Sequence, residues 1–337
     1  MDRIALKYPK LIIYGAYVGI VIGYIGMMIM VFIILKGFIT LLTQPDAAPV
    51  VTPILPGIPI PGSPIFVPFW HGMIALFVVV VIHEFFHGVV SRAHKIHVKS
   101  SGFAMFAFLP AAFVEPDEKE LIQRDKKTQL SIFAAGPFSN IILGALVFLI
   151  ISFILPPIHD AVVEPIGFSF STLVEDYPAI KSGLEKDVIY NQVDGKRIIT
   201  NTEFIGALTN LKPKETVMIG NQENTYTIEA TENPDNATKG YIGVYIEQRY
   251  KDEDKAYFKT MIWIFGLFVW IFILTLGLGL ANLLPLGPVD GGRMLLIPLV
   301  YKFGEKRGRT IWAKISLFFI VMLIIMVFVP IIKAVLS

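Results

Sequence analysis

The chain has 337 residues, of which 54% are hydrophobic and 17% charged, with a formal net charge of +2 and no cysteine. A soluble domain carries about 25% charged residues, so the apolar excess, with a mean hydropathy of +0.65, points to lipid as the solvent. The near-neutral charge argues against a nucleic-acid partner, and the missing cysteines exclude disulfides, thiolate metal sites and cysteine nucleophiles.

Apolar stretches at residues 11–42, 65–90, 130–155, 258–301 and 311–332 approach or exceed the roughly 20 residues a helix needs to cross hydrocarbon. The first outlasts the about 7–15 apolar residues of a secretory signal, and no small-residue cleavage site follows it, so it reads as a retained helix. The segment 100–115 is apolar but too short to cross, and its Gly102 and Pro110 suggest a re-entrant or interfacial hairpin. The run 258–301 is too long for one helix. Pro285, Gly287, Pro288, Gly291 and Gly292 interrupt it, predicting a helix to about Asn282, an irregular segment, and a short helix to Tyr301. Irregular backbone at membrane depth survives only where it lines protein or a watery cavity, so the break points to a site.

Lys and Arg fix the orientation. Arg3, Lys7 and Lys10 precede the first span; Arg92, Lys95, Lys99, Arg124, Lys126 and Lys127 lie between the second and third; Lys302, Lys306, Arg307 and Arg309 lie between the fourth and fifth. Five alternating spans put all three clusters on the cytoplasmic side. The amino terminus is then cytoplasmic, whereas the Pro-rich loop 45–68 and residues 158–252 are extracytoplasmic. That outer region carries short alternating pieces, Val188-Ile189-Tyr190 and Thr225-Tyr226-Thr227-Ile228, with turn signals at Asp194-Gly195 and Asn233-Pro234.

The second span contains His83-Glu84-Phe85-Phe86-His87. Histidines at i and i+4 project from one helical face and can hold one Zn²⁺, with Glu84 beside them as a base. The alternative, buried polar residues hydrogen-bonded between helices, is weakened in a membrane span, where ionisable groups are functional by default. A third ligand is required. Soluble metzincins would place Gly at position 90 and His at 93, but Val90 and Ala93 stand there. His94 and His97 fall in a basic juxtamembrane stretch and are expected to be solvated, His71 opens the span at the interface, and His159 starts the outer region. Asp290 is the better candidate, because the second and fourth spans both run outside to inside, which brings His83, His87 and Asp290 to the cytoplasmic part of the membrane. Asp290 could equally cap the helix that follows it.

His-Glu-x-x-His in one span, Gly136-Pro137-Phe138-Ser139-Asn140 in the next, and Asn282-Leu283-Leu284-Pro285 followed by Asp290-Gly291 resemble the site-2 protease family of intramembrane zinc metalloproteases. Gly287-Pro288-Val289 departs from the commoner Pro-x-Leu but keeps the register to Asp290. The resemblance implies one Zn²⁺ held by His83, His87 and Asp290, with Glu84 as general base and acid. It also implies Asn140 and Asn282 as polar groups near the scissile bond, although interhelical hydrogen bonding in lipid would account for either amide. Within the outer region, Tyr177, Gly183-Leu184, Val188-Ile189 and Asp194-Gly195-Lys196 resemble a PDZ domain, with Lys186-Asp187 where Gly-Asp is usual. Gly240-Tyr241-Ile242-Gly243-Val244 would be its carboxylate-binding loop.

The expected architecture is a polytopic α-helical transmembrane core with a small α+β PDZ-like extramembrane domain. Residues 1–64 supply the first helix and Pro-rich loop, 65–157 the first half of the catalytic core, 158–252 the PDZ-like domain, 253–302 the second half, and 303–337 the closing helix. The expected activity is hydrolysis of peptide bonds in or near transmembrane segments of other membrane proteins, with the PDZ-like domain contacting a peptide or ectodomain. A zinc transporter and an inactive, protein-binding relative are the competing classes. The lack of an internal inverted repeat weighs against the first, and the intact Glu84 against the second.

Overall fold

The computed structural model describes residues 1–44 and 48–336, so the first residues of the Pro-rich loop, 45–47, lie outside the described residues. In chain order the first half comprises α1 (Asp2–Lys7), α2 (Pro9–Thr43), α3 (Phe69–Ala93), β1 (Val98–Phe106), β2 (Leu109–Pro116), α4 (Glu118–Gln123) and α5 (Lys126–Leu149). A π-helical turn (Ile150–Ile154) leads to α6 (Leu155–Val162), β3 (Pro165–Leu173), α7 (Pro178–Lys181), β4 (Gln192–Val193), β5 (Lys196–Arg197) and α8 (Asn201–Leu208). Then follow β6 (Thr216–Gly220), β7 (Thr225–Glu229), β8 (Thr231–Asn233), β9 (Asn236–Tyr241), β10 (Val244–Tyr250), α9 (Ala256–Ala281), α10 (Asp290–Phe303) and α11 (Glu305–Leu336). Two compact units result, one from residues 1–153 and 264–337, the other from 154–263.

Among the described residues, five helices are long and apolar enough to cross a membrane: Pro9–Thr43, Phe69–Ala93, Lys126–Val162, Ala256–Ala281 and Glu305–Leu336. Lipid is as apolar as the helices, so close packing through small residues, rather than hydrophobic burial, must hold them together. On α2 the buried face carries Ala16, Gly19, Gly23 and Gly26. A methyl added at Gly19 would meet the Phe138 ring at 3.0 Å, at Gly23 the Met294 Cε at 2.8 Å, and at Gly26 the Leu283 Cδ1 at 2.5 Å. That notch seats α5, α10 and the segment before α10 against α2. At the start of α5, Asp125 accepts hydrogen bonds from the Thr128 hydroxyl (2.6 Å) and backbone N–H (3.0 Å). These bonds, the hydroxyl foremost, hold its carboxyl below the ordinary value and fix where the helix begins.

The segment 100–115 forms a β-hairpin, Phe103 opposite Ala112 and Phe106 opposite Leu109, turning at Ala107 with φ +54°. Its Phe103 is 70% exposed and Met105 64%, an apolar surface that suits lipid or an apolar partner. The Val114 N–H of β2 donates to Glu84 Oε2 at 3.1 Å, tying the hairpin to α3.

The smaller unit has its own core, centred on Phe168, Phe170, Tyr190, Phe204, Ile219 and Ile228. β10 pairs antiparallel with β3, and β5-β4-β6-β7 form a second sheet. The piece 188–190 is not a strand of its own. Asp187 takes φ +60° just before it, and only Tyr190 pairs, exchanging backbone bonds with Phe168 at 2.7 and 2.8 Å. α8 opens with a capping box, Thr200 and Glu203 satisfying each other's backbone N–H groups. Gly243 precedes β10 at φ +80°, and a Cβ there would lie 2.7 Å from Tyr177 Cγ. Gly243→Ala is therefore expected to destabilise this unit by about 1–3 kcal/mol, measured as an earlier onset of proteolysis within 154–263 of the full chain. Unchanged protection would show that the loop relaxes freely.

Candidate metal centre

α3 is continuous through its two histidines, so His83 and His87 lie one turn apart on the same face. Both are nearly buried, at 6% and 8% exposure. Their Nε2 atoms are 3.2 Å apart. The His87 Nδ1–H donates to the Ile132 carbonyl of α5 at 2.7 Å, which leaves the lone pair on Nε2.

Asp290 reaches the same point from a different element. After α9 ends, Gly291 N–H donates to the Asn282 carbonyl at 2.7 Å, folding the chain back across the break. A Cβ on Gly291 or Gly292 would run into the backbone of Leu283 or Leu286, so only glycine permits this nesting. The Trp312 indole N–H donates to the Gly292 carbonyl at 2.8 Å, fastening the turn to α11. Asp290 is the first residue of α10, the N-cap being Val289 without a side-chain bond. Its carboxylate does not cap the helix. Oδ2 lies 3.0 Å from His83 Nε2 and 3.3 Å from His87 Nε2.

The three donor atoms thus form a triangle with edges of 3.0–3.3 Å. Tetrahedral zinc with bonds of about 2.0–2.1 Å needs donors about 3.3 Å apart, so the residues fit such an ion. The His87 lone pair and the Asp290 carboxylate are both electron-rich, and such closeness inside an apolar bundle calls for a cation or a proton between them. Gly136 of α5 supplies the space: a Cβ there would overlap both Nε2 atoms and lie 2.6 Å from His83 Cε1. Among the described residues, His83, His87 and Asp290 are the one His/Asp/Glu group that could hold a metal.

Glu84 faces two cavities. The larger, about 580 Å³, is also lined by His87, Asp290, Phe113, Glu115 and Arg293. The smaller, about 110 Å³, is shared with His83, Asn140 and Asn282. The six residues singled out from the sequence therefore surround one place. The other histidines lie elsewhere. His94, expected to be solvated, is half-buried with its Nε2 3.0 Å from the Ser131 hydroxyl, because α3 and α5 pack against each other there. His159 contacts Asp160 in the smaller unit. Sequence reading missed the Ile132 carbonyl and the Val114 N–H, since a backbone contact leaves no mark on residue type. It also gave Gly136 no role of its own, although the Gly-x-x-x-Asn spacing flags it.

A family profile described as Peptidase family M50 matches residues 71–323. An uncharacterized protein of Methanocaldococcus jannaschii is 28% identical over 232 residues, 67% of this chain and 56% of the relative. The chain thus spans little more than half the length of that relative. Because Gly136 leaves no room for a side chain beside the donors, Gly136→Ala is expected to lower metal affinity at least about tenfold, measured by metal analysis of purified, folded protein. Full retention of metal would contradict the packing described.

Proposed function

The chain belongs to peptidase family M50, and from that membership we propose that it is an intramembrane zinc metalloendopeptidase of the site-2 protease type, cutting other membrane proteins in or near their transmembrane segments. The observation that carries this reading is the convergence of His83, His87 and Asp290 within 3.0–3.3 Å of one another, beside Glu84 and inside a helical core. A zinc ion held by these three would supply Lewis acidity for water attack on a peptide carbonyl. Glu84 commits one oxygen to the Val114 N–H, leaving its carboxylate oriented toward the cavity. There it takes a proton from the attacking water and returns it to the departing amine. Asn282 borders the same small cavity as Glu84, where its amide can hold the substrate strand or the developing oxyanion.

A transmembrane substrate hides its carbonyls in helical hydrogen bonds, so it must be unwound and wetted. β2 contributes Phe113, Val114, Glu115 and Pro116 to the wall of the 580 Å³ cavity, which supports binding of an extended substrate alongside this strand by β-addition. The Lys/Arg clusters support a cytoplasmic amino terminus and an extracytoplasmic 154–263 unit. We read that unit as PDZ-like. Its groove of about 530 Å³, lined by Phe204 and Leu208 of α8 and Val244 and Ile246 of β10, could take a peptide or part of a substrate ectodomain.

Glu84→Gln keeps the shape of the side chain and removes the base. It is expected to lower cleavage of a single-span substrate by about 10²–10⁴-fold with zinc content unchanged, and a strong zinc chelator should abolish wild-type cleavage. Undiminished cleavage by the variant would refute the assignment. Chelator-sensitive zinc flux that survived in Glu84→Gln would favour a transporter instead.

A further inference from the structure

Two imidazoles can share one metal through Nε2 only if both carry their proton on Nδ1. For His87 the Ile132 carbonyl enforces this. The Nδ1 of His83 has a different neighbour, the side-chain amide of Asn140 at 3.1 Å. Asn140 is 1% exposed. Its Nδ2 faces His83 Nδ1, while its Oδ1 is buried with no hydrogen-bond partner among the described residues. An amide N–H donated to Nδ1 would push the imidazole proton onto Nε2, the atom that faces His87 and Asp290, and the donor triangle would lose one lone pair.

A half-turn of the amide resolves both faults at once without changing the shape of the side chain. Oδ1 then accepts the Nδ1–H, the orphaned oxygen gains a donor, and His83 Nε2 is left with a free lone pair. The –NH₂ turns away from the histidine, on a residue that also lines the cavity of about 110 Å³. Resting on the metalloprotease reading, we infer that Asn140 is a positioning residue that acts through His83: its side-chain oxygen holds the imidazole in the metal-binding tautomer.

The spacing along α5 supports this role. Ile132, Gly136 and Asn140 follow one another at intervals of four and so lie on one stripe of the helix. On α3 the histidines are also four apart, and the contacts pair His87 with Ile132 and His83 with Asn140. One stripe thus offers a backbone carbonyl to the first imidazole, a bare surface at Gly136 to the metal-facing atoms, and an amide oxygen to the second imidazole. The four-residue step of Gly136–Asn140 matches that of the two ligands.

The test is zinc affinity, measured on the full-length protein in detergent by competition with chelators of graded strength, with helix content and monodispersity checked for each variant. Asn140→Leu removes the acceptor at similar size and is expected to bind zinc about 10–100-fold more weakly. Asn140→Asp keeps an oxygen acceptor facing Nδ1 and is expected to bind zinc within about threefold of wild type or more tightly. Equal zinc affinity in Asn140→Leu together with lost cleavage would overturn the proposal in favour of direct substrate contact. Equal loss of affinity in both variants would overturn it too, since retention of an acceptor would then not matter. Wild-type protein that takes up no zinc under the same conditions would instead overturn the metalloprotease reading itself.

Discussion

Three electron-rich atoms held 3.0–3.3 Å apart within an apolar helical bundle make the constraint on which the rest of this architecture depends. In water such a cluster could relax by hydration. Among helices it needs either a shared cation or protonation, and the elements around it are arranged to keep the three atoms in place. The Ile132 carbonyl orients one imidazole, the Asn140 amide adjoins the other, and the nested Gly291–Gly292 turn carries the carboxylate. Two backbone groups and one side chain, two of them on α5 and one at the start of α10, thus fix a single point beside α3.

Glycine is the means by which those segments come close enough. On α2, Gly19, Gly23 and Gly26 admit Phe138, Met294 and Leu283, drawing in α5, α10 and the broken segment that Asp290 follows. On α5, Gly136 leaves the two Nε2 atoms uncrowded. At the start of α10, backbone packs on backbone where any side chain would collide. In a bilayer, where apolar burial does little to bring helices together, such notches provide both adhesion and positioning.

The proposed hydrolysis among spanning helices also needs water and an extended substrate, and the same site is joined to elements suited to both. Glu84 borders two cavities and accepts a hydrogen bond from β2, so one carboxylate links both cavities to the strand proposed to align a substrate. Displacement of the hairpin would therefore be felt directly at Glu84.

The five spans, the interrupted fourth segment and the short hairpin were legible in the sequence because apolar run length, Pro/Gly breaks and an apolar stretch too short to cross each report on local chain behaviour. The histidine pair was legible for the same reason, since a helix fixes i and i+4 on one face. Asp290 was reached less directly, by matching depths of two spans and through the family resemblance, and its own residue pattern left open whether it capped its helix. What it could not contain was how α5 and the nested turn converge on α3: the Ile132 carbonyl, the Val114 N–H and the bare face of Gly136 act through backbone position and empty space. Residue identity alone determined which groups could bind a metal, and tertiary packing decided which atoms face one another, because lone-pair direction and clearance are properties of assembled helices rather than of any one segment.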